Sequence, residues 1–182
     1  SDILHPSLFE LEKGLAPFHW ILDEEPMKKQ IAIALQRHEE QKTRAKTRYK
    51  PLLFIVTMSI VEGERAQKML QERFKIKTLL VTQESDEEQR NDAMLIGDPD
   101  SKYEAVVSVL MLREGWDVPQ VSTILLLRKF SSPVYGQQVI GRGLRKIIRN
   151  QEEREILAVV DHPRLEHDWL WRLVAVSKVK QN

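Results

Sequence analysis

Two arginines and a glutamine stand at helical spacing in the stretch QQVIGRGLRK (137–146). Gln138, Arg142 and Arg145 fall at i, i+4 and i+7, so on a helix the three side chains leave one face. Arginine suits phosphate because its guanidinium is always charged, planar and able to donate as a fork. Two such forks beside an amide can hold a triphosphate and stabilise charge as its terminal phosphoryl group leaves. Gly141 and Gly143 each weaken a helix interior by roughly 1 kcal/mol relative to alanine. In return they let a neighbouring backbone or ligand approach closely. Taken alone, the segment reads as a basic amphipathic helix with its arginines in water.

A second segment, MLREGWDVPQV (111–121), lies between two apolar runs. Gly115 permits a turn, Asp117 can accept from a hydroxyl or cap a loop, and Pro119 ends the turn. Trp116 is expected to be a hydrophobic plug whether the segment binds a ligand or only connects two strands.

The elements that must carry these residues follow from periodicity. MKKQIAIALQRHEEQ (27–41) has helical spacing. LLFIVT (52–57), TLLVT (78–82), AVVSVLM (105–111), STILLL (122–127) and EILAVV (155–160) read as strands. Helical patterns lie between them in EGERAQKMLQERF, in a segment starting near Ser85, and in QQVIGRGLR, and HDWLWRLVAV closes the chain as a helix. Continuous Val/Ile/Leu runs alternating with helices predict a three-layer α/β domain with a mainly parallel sheet, its ligands at the C-terminal ends of the strands. Ser85 and Glu88 fit a capping box at one helix start. No repeat or low-complexity tract is present. Residues 1–45 are expected to be an N-terminal helical segment or linker from a preceding domain, and 46–182 the domain proper.

The chain has 182 residues, a composition typical of soluble globular proteins, and a net charge of only +1. It is therefore no uniform electrostatic glove for nucleic acid. The charge is uneven, however: from Arg128 to Arg149 there are six basic residues and no acid, and KTRAKTRYK (42–50) also lacks acids. The latter is explained as well by a solvated loop as by anion contact. With no cysteine, disulfides and thiolate metal sites are excluded. No signal-peptide pattern or membrane-length apolar run appears, so a cytoplasmic setting is expected. The start at Ser1 reads as the edge of a fragment.

GWDVP, then a strand, a basic loop and QxxGRxxR resemble motifs V and VI of superfamily 2 helicases. The wording MLREGWDVPQV followed by SPVYGQQVIGRGLRK is most similar to the helicase subunit of type III restriction enzymes, over roughly residues 50 to 162. The resemblance implies the second RecA-like domain of a DEAD/DEAH-like enzyme, a P-loop NTPase-type fold lacking its phosphate loop. It implies that Arg142 and Arg145 are arginine fingers and that Gln138 sits near the phosphates of ATP. Gly115 and Asp117 would touch the nucleotide ribose, with Gly141 also at the nucleotide. Thr57 and Ser59 fall in the motif IV region that holds nucleic-acid phosphates, Arg90 matches an arginine common at its position, and Ser108 stands where relatives carry the motif V threonine.

The implied activity is that of an ATP-dependent DNA helicase or translocase, with ATP and Mg2+ bound in the full-length enzyme and neither held by this chain alone. Implied partners are an N-terminal RecA-like domain of the same protein, DNA or RNA, and a modification or specificity subunit. The sequence contains no GxxxxGK followed by Ser or Thr, so it cannot cradle the β- and γ-phosphates in the usual way. The competing reading is a non-catalytic RecA-like module that binds nucleic acid or protein. LDEEP (22–26) reads as a helix N-terminus rather than a magnesium motif, GDPDS (97–101) as a turn rather than nuclease chemistry. Asp161, His162 and His167 match no familiar metal spacing, and Asp161-His162-Pro163 reads as a strand end, cap and helix start.

Overall fold

The uninterrupted apolar runs become the middle of a five-stranded parallel sheet, ordered β2-β3-β1-β4-β5. The computed structural model describes residues 24–109, 118–130, 132–143, 147–148 and 155–172. β1 (Leu52–Thr57), β3 (Ala105–Val109) and β4 (Val121–Leu126) are buried at every residue, as strands covered on both faces must be. β2 (Thr78–Val81) and β5 (Ala158–Val160) form the edges. In register, Phe54 pairs with Val106 on one side and Ile124 on the other.

Among the described residues the layers are completed by α1 (Glu24–Ala45), α2 (Ile60–Glu72), α3 (Glu87–Met94) and α4 (Pro133–Gly143). The connection from β1 to β2 through α2 runs toward one edge; those from β2 to β3 and from β4 to β5 run the other way. Because parallel crossovers are right-handed, α2 lies on one face and α3 and α4 on the other. α1 packs against β4, β1, β5 and α2, and so shares the α2 face.

Met27, Ile31, Ala34 and Leu35 of α1 belong to the same core as the central strands. The Gln41 amide donates at 2.7 Å to the carbonyls of both Ser122 and Ile156, fixing the helix to the entry ends of β4 and β5. The expected boundary at residues 45 and 46 coincides with the end of α1. Half of the KTRAKTRYK stretch is the last turn of α1, which ends where Lys46 turns to φ 54° and the Arg48 side chain donates to the carbonyls of Arg44 and Ala45. Left-handed residues commonly close helices in this way.

The capping box of α3 lies one residue later than the sequence suggested. The Ser85 hydroxyl is turned inward and accepts from the Thr82 amide at 2.8 Å. Asp86 is therefore the cap: its carboxylate accepts from Gln89 N at 2.8 Å, and the Gln89 side chain accepts from Asp86 N at 3.1 Å. GDPDS is a turn, with the Asp98 carboxylate accepting from Asp100 N. Among the described residues no helix is long and apolar enough to cross a membrane.

A charged cluster joins α1 to the start of β3. Glu104 lies 2.9 Å from Lys42 Nζ and 3.7 Å from buried His38 Nε2. The His38 ring is the largest influence holding the Glu104 carboxyl down to about 2 from the usual 4.5, opposed by burial and reinforced by Lys42. A carboxyl whose folded value is depressed stabilises the protein above its unfolded value and loses that contribution as pH falls toward the folded one. The melting temperature is therefore expected to fall between about pH 4.5 and 2, and Glu104→Gln to flatten that limb while lowering stability at neutral pH. Identical acid limbs in the two proteins would refute the assignment.

Candidate nucleotide and nucleic-acid site

The direction of the connections reverses between the parallel strands β1 and β4, since β1 leads toward one edge of the sheet and β4 toward the other. In parallel sheets the crevice outside the carboxyl ends at such a point is where ligands bind. The segment after β1, the segment after β4 and the start of α4 follow these carboxyl ends. Leu127 N donates to Val56 O at 2.9 Å, holding the first two together.

After β1 the chain turns directly into α2. The Ser59 hydroxyl caps the helix by accepting from Glu62 N at 3.2 Å, and the Glu62 carboxylate reaches back to Met58 N at 3.2 Å. This reciprocal arrangement satisfies two amides that a helix start leaves open. Glu62 is buried, and burial is the main influence raising its carboxyl pKa; the Met58 amide and the charge of Arg128 act against it. Arg128, also buried, follows β4; its guanidinium carbon lies 5.6 Å from the centre of the Tyr135 ring.

Gly63 lets α2 sit this low on the strands. A Cβ there would stand 2.6 Å from Val109 Cγ2 and 3.0 Å from Leu80 Cδ1. Beneath it Thr57 is fully buried, with Oγ1 3.5 Å from the Ser108 carbonyl, and Ser108 is itself buried in β3. Thr57 and Ser108, the hydroxyls expected at phosphate, are thus both buried in the sheet. Ser59 is half-buried, and Arg90 of α3 is partly exposed with its Nε buried and without a hydrogen-bond partner. The hydroxyls were legible as types at strand ends; their facing was not, because both faces of this sheet are covered.

α4 starts where Ser132 Oγ accepts from Tyr135 N at 3.2 Å. Val139 and Ile140 are buried while Gln138 and Gly141 are exposed, and a Cβ at Gly141 would meet nothing within 4 Å. Gly115, Trp116, Asp117 and Arg145 lie outside the described residues, as does the side chain of Arg142.

A platform of aromatic rings seats the first turn of α4. Phe130 packs edge-on to Tyr135, with ring centres 5.5 Å apart, and tilted on His167 at 4.8 Å. At Gly136 a Cβ would stand 2.9 Å from Trp169 and 3.0 Å from Phe130. Behind the platform Asp161 holds His167 Nδ1 at 2.8 Å and Trp171 Nε1 at 2.9 Å. His162 caps the 3-10 turn Pro163–Leu165 through Nδ1, accepting from Arg164 N at 3.0 Å. Burial is the main influence lowering the His162 pKa to about 4. Among the described residues no group of acidic or histidine side chains could hold a metal. Sequence reading did not single out Glu62, Arg128 or the Asp161–His167 pairing; the only visible signal was the DHP turn with a histidine five residues after His162.

The family model described as helicase conserved C-terminal domain matches residues 29–146. No curated protein sequence matches the chain. Among solved structures, the fold resembles Mss116p DEAD-box helicase domain 2 bound to an RNA duplex, with TM-score 0.53 and 16% identity over 73% of this chain and 49% of that one. It also resembles the ATP-dependent Type ISP restriction-modification enzyme LlaBIII bound to DNA, with TM-score 0.54 and 16% identity over 80% of this chain and 11% of that one. A third likeness is the Sulfolobus solfataricus SWI2/SNF2 ATPase core in complex with dsDNA, with TM-score 0.51 and 11% identity over 72% and 26%. At these identities the likenesses show the fold: a five-stranded parallel sheet of the RecA-like helicase C-terminal type. The chain spans half or less of each of these structures.

Proposed function

Because the chain belongs to the helicase conserved C-terminal domain family, we propose that it is the second motor domain of an ATP-dependent DNA helicase or translocase. In this reading ATP binds at the interface with a first RecA-like domain. Arg142 and Arg145 reach its phosphates as arginine fingers, with Gln138 beside them. Gly115 and Asp117 touch the ribose and relay the nucleotide state, and Gly141 leaves room for the ligand. The observation that carries the proposal is the exposed Gln138–Gly141 face of α4, free to meet a ligand brought by another domain.

That face suits an anionic ligand arriving from another domain. Mg2+ would be held by that domain. For nucleic acid the proposed contacts are Thr57, Ser59, Arg90 and Ser108, of which Ser59 and Arg90 are the more exposed. Restriction-type DNA translocation is favoured by the wording of the two motifs and accords with the LlaBIII likeness. A modification or specificity subunit would then be a further partner.

The purified chain is expected to show no ATP turnover above background, and a longer protein that includes the preceding domain to hydrolyse ATP when nucleic acid is added. Turnover by the chain alone, lost on Arg142→Ala, would sink the two-domain reading. A longer protein that binds nucleic acid in a salt-dependent manner but never hydrolyses ATP would instead support a non-catalytic binding module.

A further inference from the structure

The network behind α4 is more specific than core packing requires. Asp161 and His167 are each 2% exposed. His167 Nε2 accepts from the Phe130 backbone amide at 3.1 Å. A ring nitrogen that accepts carries no proton, so the proton of a neutral imidazole sits on Nδ1 and is donated to Asp161 Oδ1. The other carboxylate oxygen accepts from Trp171 Nε1. One tautomer of one histidine thus links the exit of β5 to the chain just after β4, three residues before α4 begins.

Phe130, the residue held in this way, is also half of the surface on which Gly136 rests. Arg142 lies six residues beyond Gly136, about 9 Å along the helix axis. A tilt of roughly 10° at the platform would displace its backbone by about 1.6 Å over that rise. Misplacement of that order in a reacting group can lower a rate about a hundredfold.

We propose that Asp161 and His167 are positioning residues for α4, fixing through the Phe130 amide and ring the angle at which the helix presents Arg142 to ATP. The inference rests on the motor-domain reading above. The charged partner of His167 is buried Asp161; the groups packed on the ring are Phe130 and Trp169, both uncharged. The arrangement therefore works as a fixed brace.

The test separates the two hydrogen bonds of His167 in the full-length protein, with ATP and a DNA duplex as probes. His167→Gln places an acceptor where Nε2 stood and keeps the Phe130 amide held; His167→Asn places a donor where Nδ1 stood and keeps only Asp161. Both lose one buried hydrogen bond, so similar falls in melting temperature are expected. Turnover is expected to diverge: kcat for His167→Asn falls at least tenfold with KM for ATP within about twofold, while His167→Gln stays within about threefold. Ile31→Val, a core change remote from α4, reports what loss of stability alone does to kcat. Equal kcat for the two His167 variants, or a loss that tracks melting temperature through Ile31→Val, overturns the proposal. Should His167→Asn not fold, His167→Gln decides: near-normal kcat supports the brace, and a tenfold loss in a folded protein overturns it. Arg142→Ala run in parallel distinguishes the two levels. If it retains turnover the motor-domain reading fails and the brace with it; if it collapses while His167→Asn does not, the brace alone fails.

Discussion

Arg142→Ala in the full-length protein is expected to lower ATP turnover by about a thousandfold while leaving the melting temperature within a degree or two. The size follows from what an arginine supplies to phosphoryl transfer. Charge spreads over the oxygens of the moving phosphoryl group, and a guanidinium brought in from a neighbouring domain can be worth roughly 10³–10⁵ in rate. The small effect on folding follows from how α4 divides: it buries Val139 and Ile140 and exposes Gln138 and Gly141. Substitutions on exposed faces away from packed features usually change stability by under about 0.5 kcal/mol. Arg142→Lys is expected to recover only part of the loss, since an ammonium keeps the charge without the planar fork. Arg145→Ala should behave like Arg142→Ala. ATP hydrolysis at saturating nucleic acid, with melting temperature alongside, decides the matter. Near-normal turnover from both alanine variants would show that the motif VI assignment is wrong.

The sheet was legible because its strands are central. Leu52–Thr57, Ala105–Val109 and Val121–Leu126 are apolar on both faces, and such runs can hardly be anything but strands when separated by helical periods. The motif residues were legible as types at fixed spacing, of which α4 carries the positions from Gln138 to Gly143. What escaped the sequence is the interaction between distant segments. Phe130 and His167 are 37 positions apart, and no periodicity links them. Asp161, His162 and His167 were weighed together as metal ligands, yet two of them bind each other and the third caps a turn. The capping box of α3 slipped by one residue because Ser85 has a better partner behind it, the Thr82 amide, than in the helix ahead. The segment 42–50 was read on charge as a solvated loop or an anion contact, but Lys42, Thr43, Arg44 and Ala45 contain no helix breaker and simply continue α1.

Gly63→Val is expected to destabilise the domain by about 3 kcal/mol, at the upper end of what overpacking a core usually costs. For a chain of this size that is a fall of roughly 10 °C in melting temperature. The reason is the depth at which α2 sits. Even a single Cβ at this position would stand 2.6 Å from Val109 Cγ2, 3.0 Å from Leu80 Cδ1 and 3.3 Å from Thr57 Oγ1. Leu80 can swing a terminal methyl away, but Val109 is β-branched, fully buried and stiff at χ1. Valine adds two further carbons, so α2 must rise off the strand ends. Its first turn carries Ser59 and Glu62, and lifting it breaks the reciprocal caps at Met58 and Glu62. Any contact made there with a nucleic-acid phosphate would weaken together with stability. Gly63→Ala isolates the cause: alanine gains about 1 kcal/mol of helix propensity over glycine but meets the same Val109 methyl. Removing that methyl in the double variant Gly63→Ala, Val109→Ala is expected to leave the protein more stable than the sum of the single changes, by about 1 kcal/mol. Strict additivity in denaturant unfolding would show that α2 does not rest on Val109. A Gly63→Val protein as stable as the parent would show that the helix has room it is not drawn with.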